Sequence, residues 1–143
     1  MAKMAVSLPE ELEQRLSRLG ANFDPVAEKL LEAGGHVVLA KAKENLSASI
    51  GKDTKYPSRS TGELARSLGL TKARLGSDGN HNIKVGFAPD RSDGKSNAMI
   101  AGVLEYGKHG QPARPFMKPA ERQSKDDVAA EMARVFDEEV GRL

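Results

Sequence analysis

Apolar residues recur every three or four positions over the first 20 residues, which is the spacing of one face of an α-helix. Ser7 and Glu10 have the spacing of a capping box, and Gly20 is typical of a helix end. The pattern predicts an N-terminal helical extension, residues 1–20, of a single domain that spans 1–143. Its apolar face consists of Leu8, Leu12, Leu16 and Leu19.

A longer helical pattern runs from an acidic cap and a first-turn proline, Asp24-Pro25, to about residue 50. Gly34 and Gly35 lie inside it, and each glycine costs about 1 kcal/mol relative to alanine in a helix. The pair therefore predicts either a kink or the close approach of another backbone. The predicted apolar side comprises Val26, Leu30, Val37, Val38, Leu46 and Ile50.

The hydrophobic period changes from 3.6 to 2 between residues 68 and 88. Two alternating segments flank the turn-forming residues 76–80, which is typical of a β-hairpin with one buried face. A last helical pattern extends from Pro119 to about Val140. The sequence therefore predicts an α+β fold, in which a small antiparallel sheet is packed by a long N-terminal helix and a C-terminal helix.

Several segments connect these elements. Residues 51–59 and 89–97 are polar and predict two mobile loops. Residues 60–68 begin with a second capping-box pattern and predict a short helix. Residues 98–106 are apolar but too short for periodicity to decide between strand and helix, with helix slightly favoured.

Charge is distributed unevenly along a chain of net charge +2. Residues 1–35 carry −2, residues 36–75 carry +5, residues 76–118 carry +2 and residues 119–143 carry −3. Oppositely charged regions could pair within one subunit or across a ring interface, or the basic part could face nucleic acid. An unevenly charged, solvated surface is the simplest alternative.

Few residues suggest catalytic or metal chemistry. Cysteine is absent, and His36, His81 and His109 have no metal-ligand spacing. His36 is expected to be a structural histidine among apolar neighbours of the long helix. Glu105 could act as a general acid or base, but a carboxylate that caps a helix or pairs with a nearby cation is the more frequent case. No cofactor, metal site or catalytic residue is predicted.

Two segments resemble a known family. The first is Ser60-Thr61-Gly62-Glu63-Leu64-Ala65-Arg66-Ser67-Leu68. The second is Val103-Leu104-Glu105-Tyr106-Gly107, followed by Pro112-Ala113-Arg114-Pro115-Phe116-Met117-Lys118-Pro119-Ala120. Their order, with a hairpin between them, resembles the tail-component family of lambdoid tailed phages (gene-product-ten-like tail completion or head–tail joining proteins). The resemblance spans roughly residues 25–140. Lys108 stands where that family commonly has threonine or serine.

The resemblance implies a structural, non-enzymatic virion protein of the phage neck or upper tail. It also implies a ring around the DNA channel, for which six subunits are favoured. The implied partners are further copies of the chain, adjacent connector or stopper proteins, tail terminator or tube proteins, and duplex DNA in the channel. No membrane or small-molecule substrate is implied, and the expected location is the virion, after assembly in the host cytoplasm.

Two groups of candidate site residues follow. The subunit or partner interface is expected at Glu105, Tyr106, Arg114, Pro115, Phe116 and Pro119, with Phe116 either in the subunit's own core or in a neighbour's pocket. A surface for the DNA channel or for charge pairing is expected at Lys52, Lys55, Arg59, Arg66, Lys72 and Arg74.

Two other functions compete with the virion role. A non-specific duplex-DNA-binding accessory protein is supported by the basic middle of the chain, since phosphate contacts need no sequence motif. A small hydrolase is supported only by Glu105 and the scattered histidines.

Overall fold

The computed structural model describes residues 4–49, 66–75, 81–87, 105–107, 109, 110, 113 and 115–143. The described elements confirm the predicted α+β fold. In chain order they are β1 (Met4–Ser7), α1 (Glu10–Leu16), a 3-10 helix (Ser17–Asn22), α2 (Phe23–Ser49), β2 (Leu68–Leu70), β3 (Arg74–Leu75), β4 (His81–Phe87) and α3 (Met117–Gly141).

The strand β4 is at the centre of a small antiparallel sheet. On one side it pairs with β1, with Val6 opposite Ile83, and on the other side it pairs with β2 and β3. The predicted hairpin between residues 68 and 88 is therefore confirmed, although its turn at 76–80 lies outside the described residues.

A bulge separates β2 from β3. Leu70 lies opposite Val85, whereas Arg74 lies opposite Asn82, so the pairing shifts by one residue between the two strands. The amide of Thr71 donates to the carbonyl oxygen of Lys84 at 2.9 Å, and the amide of Lys84 donates to Thr71 Oγ1 at 3.0 Å. These two bonds hold the sheet together where the ladder is interrupted.

The first strand corrects the prediction for the N-terminus. Ser7 belongs to β1, and α1 begins at Glu10 after Pro9, with no side-chain cap. The predicted capping box is therefore wrong: Met4 and Val6 face the core with a period of two, and pairing with β4 decides their conformation. The leucine face is confirmed in large part, since Leu8, Leu12 and Leu16 are buried and Leu19 is partly buried.

The helix α2 follows the sequence prediction closely and continues through the glycine pair. A β-carbon added at Gly34 would collide with the terminal methyl group of Met132 in α3. A β-carbon added at Gly35 would lie 3.0 Å from Leu70 and 3.2 Å from Ile83 in the sheet. The glycines thus allow close packing on two sides of α2, against side chains of α3 and of the sheet rather than against another backbone.

The helix α3 begins at Met117, two residues before the predicted start, and packs along α2. Its buried side chains are Met117, Ala120, Ser124, Met132 and Phe136, whereas Val140 is exposed. The loops predicted at 51–59 and 89–97 lie outside the described residues. So does most of the short helix predicted at 60–68 and of the segment 98–106, of which Glu105 and Tyr106 are helical.

Candidate functional site

Glu105 holds the start of α3 although it lies eleven residues before Phe116. One carboxylate oxygen, Oε2, accepts hydrogen bonds from the amides of Phe116 at 2.7 Å and Met117 at 3.0 Å. The other oxygen, Oε1, accepts a hydrogen bond from the amide of Lys118 at 2.9 Å. The side chain is almost fully buried, with 5% exposed. Of the alternatives considered for this residue, a helix-capping carboxylate is confirmed.

The cap follows from what the helix itself lacks. The first amides of a helix have no partner within it, and Phe116 at the N-cap position has no polar side chain to accept them. A carboxylate is well suited to this place, because its charge interacts favourably with the helix dipole and strengthens each hydrogen bond. The short segment Glu105-Tyr106 is thereby fastened to the C-terminal helix.

Phe116 lies in the subunit's own core. It is fully buried and meets the ring of Phe87 edge-on, with ring centroids 6.0 Å apart and an angle of 76° between the planes. Its carbonyl oxygen accepts a hydrogen bond from Asn45 Nδ2 at 3.2 Å. The sheet, α2 and the start of α3 therefore converge on this residue.

Tyr106, in contrast to Phe116, lies at the surface, with 62% of the residue exposed. It borders a shallow surface groove beside β1, which we call the Tyr106 groove, lined by Met4, Ala5, Glu105, Met117, Lys118 and Glu121. Pro115 is exposed and Pro119 is half-buried, while Arg114 lies outside the described residues. Of the six residues predicted for an interface, Glu105 and Phe116 thus pack inside the subunit. An interface at the others remains a prediction.

The second group of predicted residues is only partly described. Lys52, Lys55 and Arg59 lie outside the described residues, and Arg66, Lys72 and Arg74 are exposed. The structure adds Lys84, which the sequence analysis did not single out. Its alternation with Ile83 and Val85 predicts a place on the polar side of the hairpin, and the structure confirms that it is exposed.

Arg74 and Lys84 lie on the side of the sheet that faces away from α2. Residues opposite each other in a sheet share a face. Four such pairs place their residues on this side of the sheet: Ala5–Lys84, Ser7–Asn82, Gly69–Gly86 and Arg74–Asn82. We call this surface the outer sheet face, represented by Ala5, Ser7, Gly69, Arg74, Lys84 and Gly86.

The histidines do not form a site. His36 is exposed, so the expected structural role in the interior is wrong: the helix turns it away from its apolar sequence neighbours. His81 Nε2 lies 3.1 Å from Asp24 Oδ1, and the centroid of its ring lies 5.4 Å from that of Phe23. His109 is exposed. Within the described ranges, no group of three acidic or histidine side chains could hold a metal ion. No helix described in the structure is long and apolar enough to span a bilayer.

Comparison with known proteins identifies the family. A family model with the description "Bacteriophage HK97-gp10, putative tail-component" matches residues 10–107. The match includes α1, α2, β2, β3 and β4 and ends at Gly107, before the Pro115–Ala120 motif. No curated protein and no solved structure gives a significant match. Since the family model covers more than half of the chain, this protein belongs to the HK97 gp10-like family of bacteriophage tail components, which are structural proteins of the virion.

Proposed function

We propose that the protein is a ring-forming tail-completion or head–tail joining component of the phage neck or upper tail, and that the ring surrounds the DNA channel. The match of a tail-component family to residues 10–107 carries this proposal. The neighbours in the particle would be connector or stopper proteins on one side and tail terminator or tube proteins on the other. Six copies agree with the symmetry of a tail.

The surface around Tyr106 supports an interface with a neighbouring subunit. Exposed tyrosines are frequent anchors of protein interfaces, because they bury a large area and lose little conformational freedom. Glu105, the residue immediately before Tyr106, is held in place by the three hydrogen bonds that its carboxylate accepts. A fixed backbone lowers the entropy lost when such a side chain docks.

The mass of the purified protein in solution is the first test, measured by light scattering alone and after mixing with phage particles that lack it. We expect a defined oligomer alone, or a monomer that joins the particle in a fixed number of copies. Tyr106→Ala should weaken oligomer formation or incorporation, whereas Leu143→Ala, at an equally exposed apolar residue, should not.

The alternative function is a non-specific duplex-DNA-binding accessory protein, and the cationic outer sheet face favours it. A protein that stays monomeric, never joins a particle and binds duplex DNA with steep salt dependence would replace the ring proposal with this one.

A further inference from the structure

We propose that the outer sheet face contacts the phosphate backbone of duplex DNA, with Arg74 and Lys84 as its principal contacts. The inference rests on the proposed function, since a ring around DNA must turn one surface of each subunit toward the channel. It identifies that surface and the groups on the DNA that it meets.

The charge of this part of the sheet is of one sign. Within residues 66–75 and 81–87 there are two arginines and two lysines and no aspartate or glutamate. Lys72, Arg74 and Lys84 are all exposed, and none of them forms an ion pair with another described residue. Three exposed cations without a counterion among the described residues are suited to a polyanion.

Several cations of the helices pair with carboxylates of the same subunit. Lys29 bonds Glu139 at 3.0 Å, and Arg15 bonds Asp137 at 3.4 Å. In α3, the hydrogen bond from Arg134 lowers the pKa of Glu131. These cations are thus paired with carboxylates of the subunit, whereas Lys72, Arg74 and Lys84 form no ion pair with a described residue.

The bulge directs Arg74 onto this face. Leu70 and Val85 share the core side of the sheet, and uninterrupted pairing would place Arg74 opposite His81, on that same side. The extra residue shifts the pairing so that Arg74 lies opposite Asn82 and faces outward with Lys84. A feature that brings a second cation beside the first is expected of a phosphate-binding surface.

The shape of the face also favours a nucleic acid over a protein. Gly69 lies opposite Gly86, and Ala5 and Ser7 occupy the neighbouring strand, so no large apolar side chain projects from it among the described residues. A β-carbon added at Gly69 would meet no atom within 4 Å. Protein interfaces rely on buried aromatic and aliphatic anchors, whereas non-specific DNA contacts rely on charge and close backbone approach.

The experiment measures binding of the full-length protein to duplex DNA of random sequence over a range of salt concentrations. We expect log K of the wild type to fall linearly with log salt concentration. Lys84→Gln should reduce the slope by about 0.9, the value for one lost phosphate contact. Lys125→Gln on α3 removes the same charge from an exposed helix position and should leave the slope unchanged.

A second pair of variants tests the face without removing a native side chain. Gly69→Glu places a carboxylate in open space on the face, and Gly69→Gln adds a neutral group of the same size. Repulsion of the phosphates by the carboxylate should weaken binding about tenfold, while the glutamine variant keeps most of the affinity.

Three results would overturn the inference: no binding of DNA by the wild type at low salt, equal effects of Lys84→Gln and Lys125→Gln, or equal effects of the two Gly69 variants. Light scattering on the same variants keeps the two proposals separate. A ring that persists without any DNA contact at this face leaves the proposed function intact. Loss of the ring in Gly69→Glu at unchanged DNA affinity would instead make this face a contact between subunits.

Discussion

The contact between α2 and α3 and the outer sheet face both depend on glycine, but for opposite reasons. Gly34 is buried against α3, where Met132 occupies the space that a side chain would need, and Val128 Cγ1 would lie 3.2 Å from an added β-carbon. Gly69 lies on an open surface, where an added β-carbon would meet nothing. In the first region glycine lets two parts of one subunit approach each other, and in the second it leaves the backbone accessible from outside.

The comparison separates residues that hold the fold from residues available to partners. Phe116, Glu105 and Gly34 belong to the packed side of the molecule, on which the sheet, α2 and α3 meet. Tyr106 and Lys84 are exposed, and Gly69 is half-buried with open space in front of it. Substitutions in the first set should therefore change the free energy of unfolding, and those in the second should change assembly or binding.

Phe116→Ala should have the largest effect. It removes a fully buried aromatic ring, so we expect the free energy of unfolding to fall by about 3–5 kcal/mol in urea titrations. Tyr106→Ala, at an exposed ring, should change it by less than about 0.5 kcal/mol. Similar losses in the two variants would contradict the division between packed and exposed regions.

Glu105→Ala should have the next largest effect. It leaves three amides at the start of α3 without their acceptor, and we expect a loss of about 3 kcal/mol. Hydrogen exchange should accelerate at the amides of Phe116, Met117 and Lys118.

Glu121→Ala is the matched control for the Glu105 cap. Glu121 lines the same groove and is exposed, and it accepts no amide hydrogen bond among the described residues. If Glu105→Ala destabilised the protein no more than this control, the cap would not be what supports the start of α3.

Strong local signals made much of the fold predictable. The proline at position 25 and a long amphipathic pattern located α2 almost to the residue, and period-two alternation located β4. The predicted cap at Asp24 is wrong, because the helix begins at Phe23 and the Asp24 carboxylate lies beside His81. The interior role of Phe116 was one of the two alternatives stated, because aromatic residues beside a helix start are suited to either a core or an interface.

Features that depend on contacts distant in the sequence were not predictable. The segment 4–7 is short and overlaps a plausible helix cap at Ser7. It forms a strand only because it pairs with β4. The alternation of the two segments already predicts Arg74 and Lys84 on the polar side of the hairpin, but the bulge that makes this possible leaves no signal in composition. The three amides that donate hydrogen bonds to the Glu105 carboxylate belong to a segment eleven or more residues away. From the sequence alone, an ion pair between Glu105 and a nearby lysine or arginine is an equally reasonable prediction.

The same substitution at the two glycines tests the comparison most directly. Valine is more favourable than glycine in both helices and strands, so local propensity alone predicts stabilisation at each position. Gly34→Val must displace Met132 from a filled interior, and we expect a net loss of about 2 kcal/mol in urea unfolding. Gly69→Val has open space and should be neutral or stabilising by less than about 1 kcal/mol.

Combining Gly34→Val with Met132→Ala should cost less than the sum of the two single changes, because the valine occupies part of the space that methionine leaves. Additive losses in the double variant, or equal shifts at Gly34 and Gly69, would show that the approach of α3 to α2 does not depend on the missing side chain.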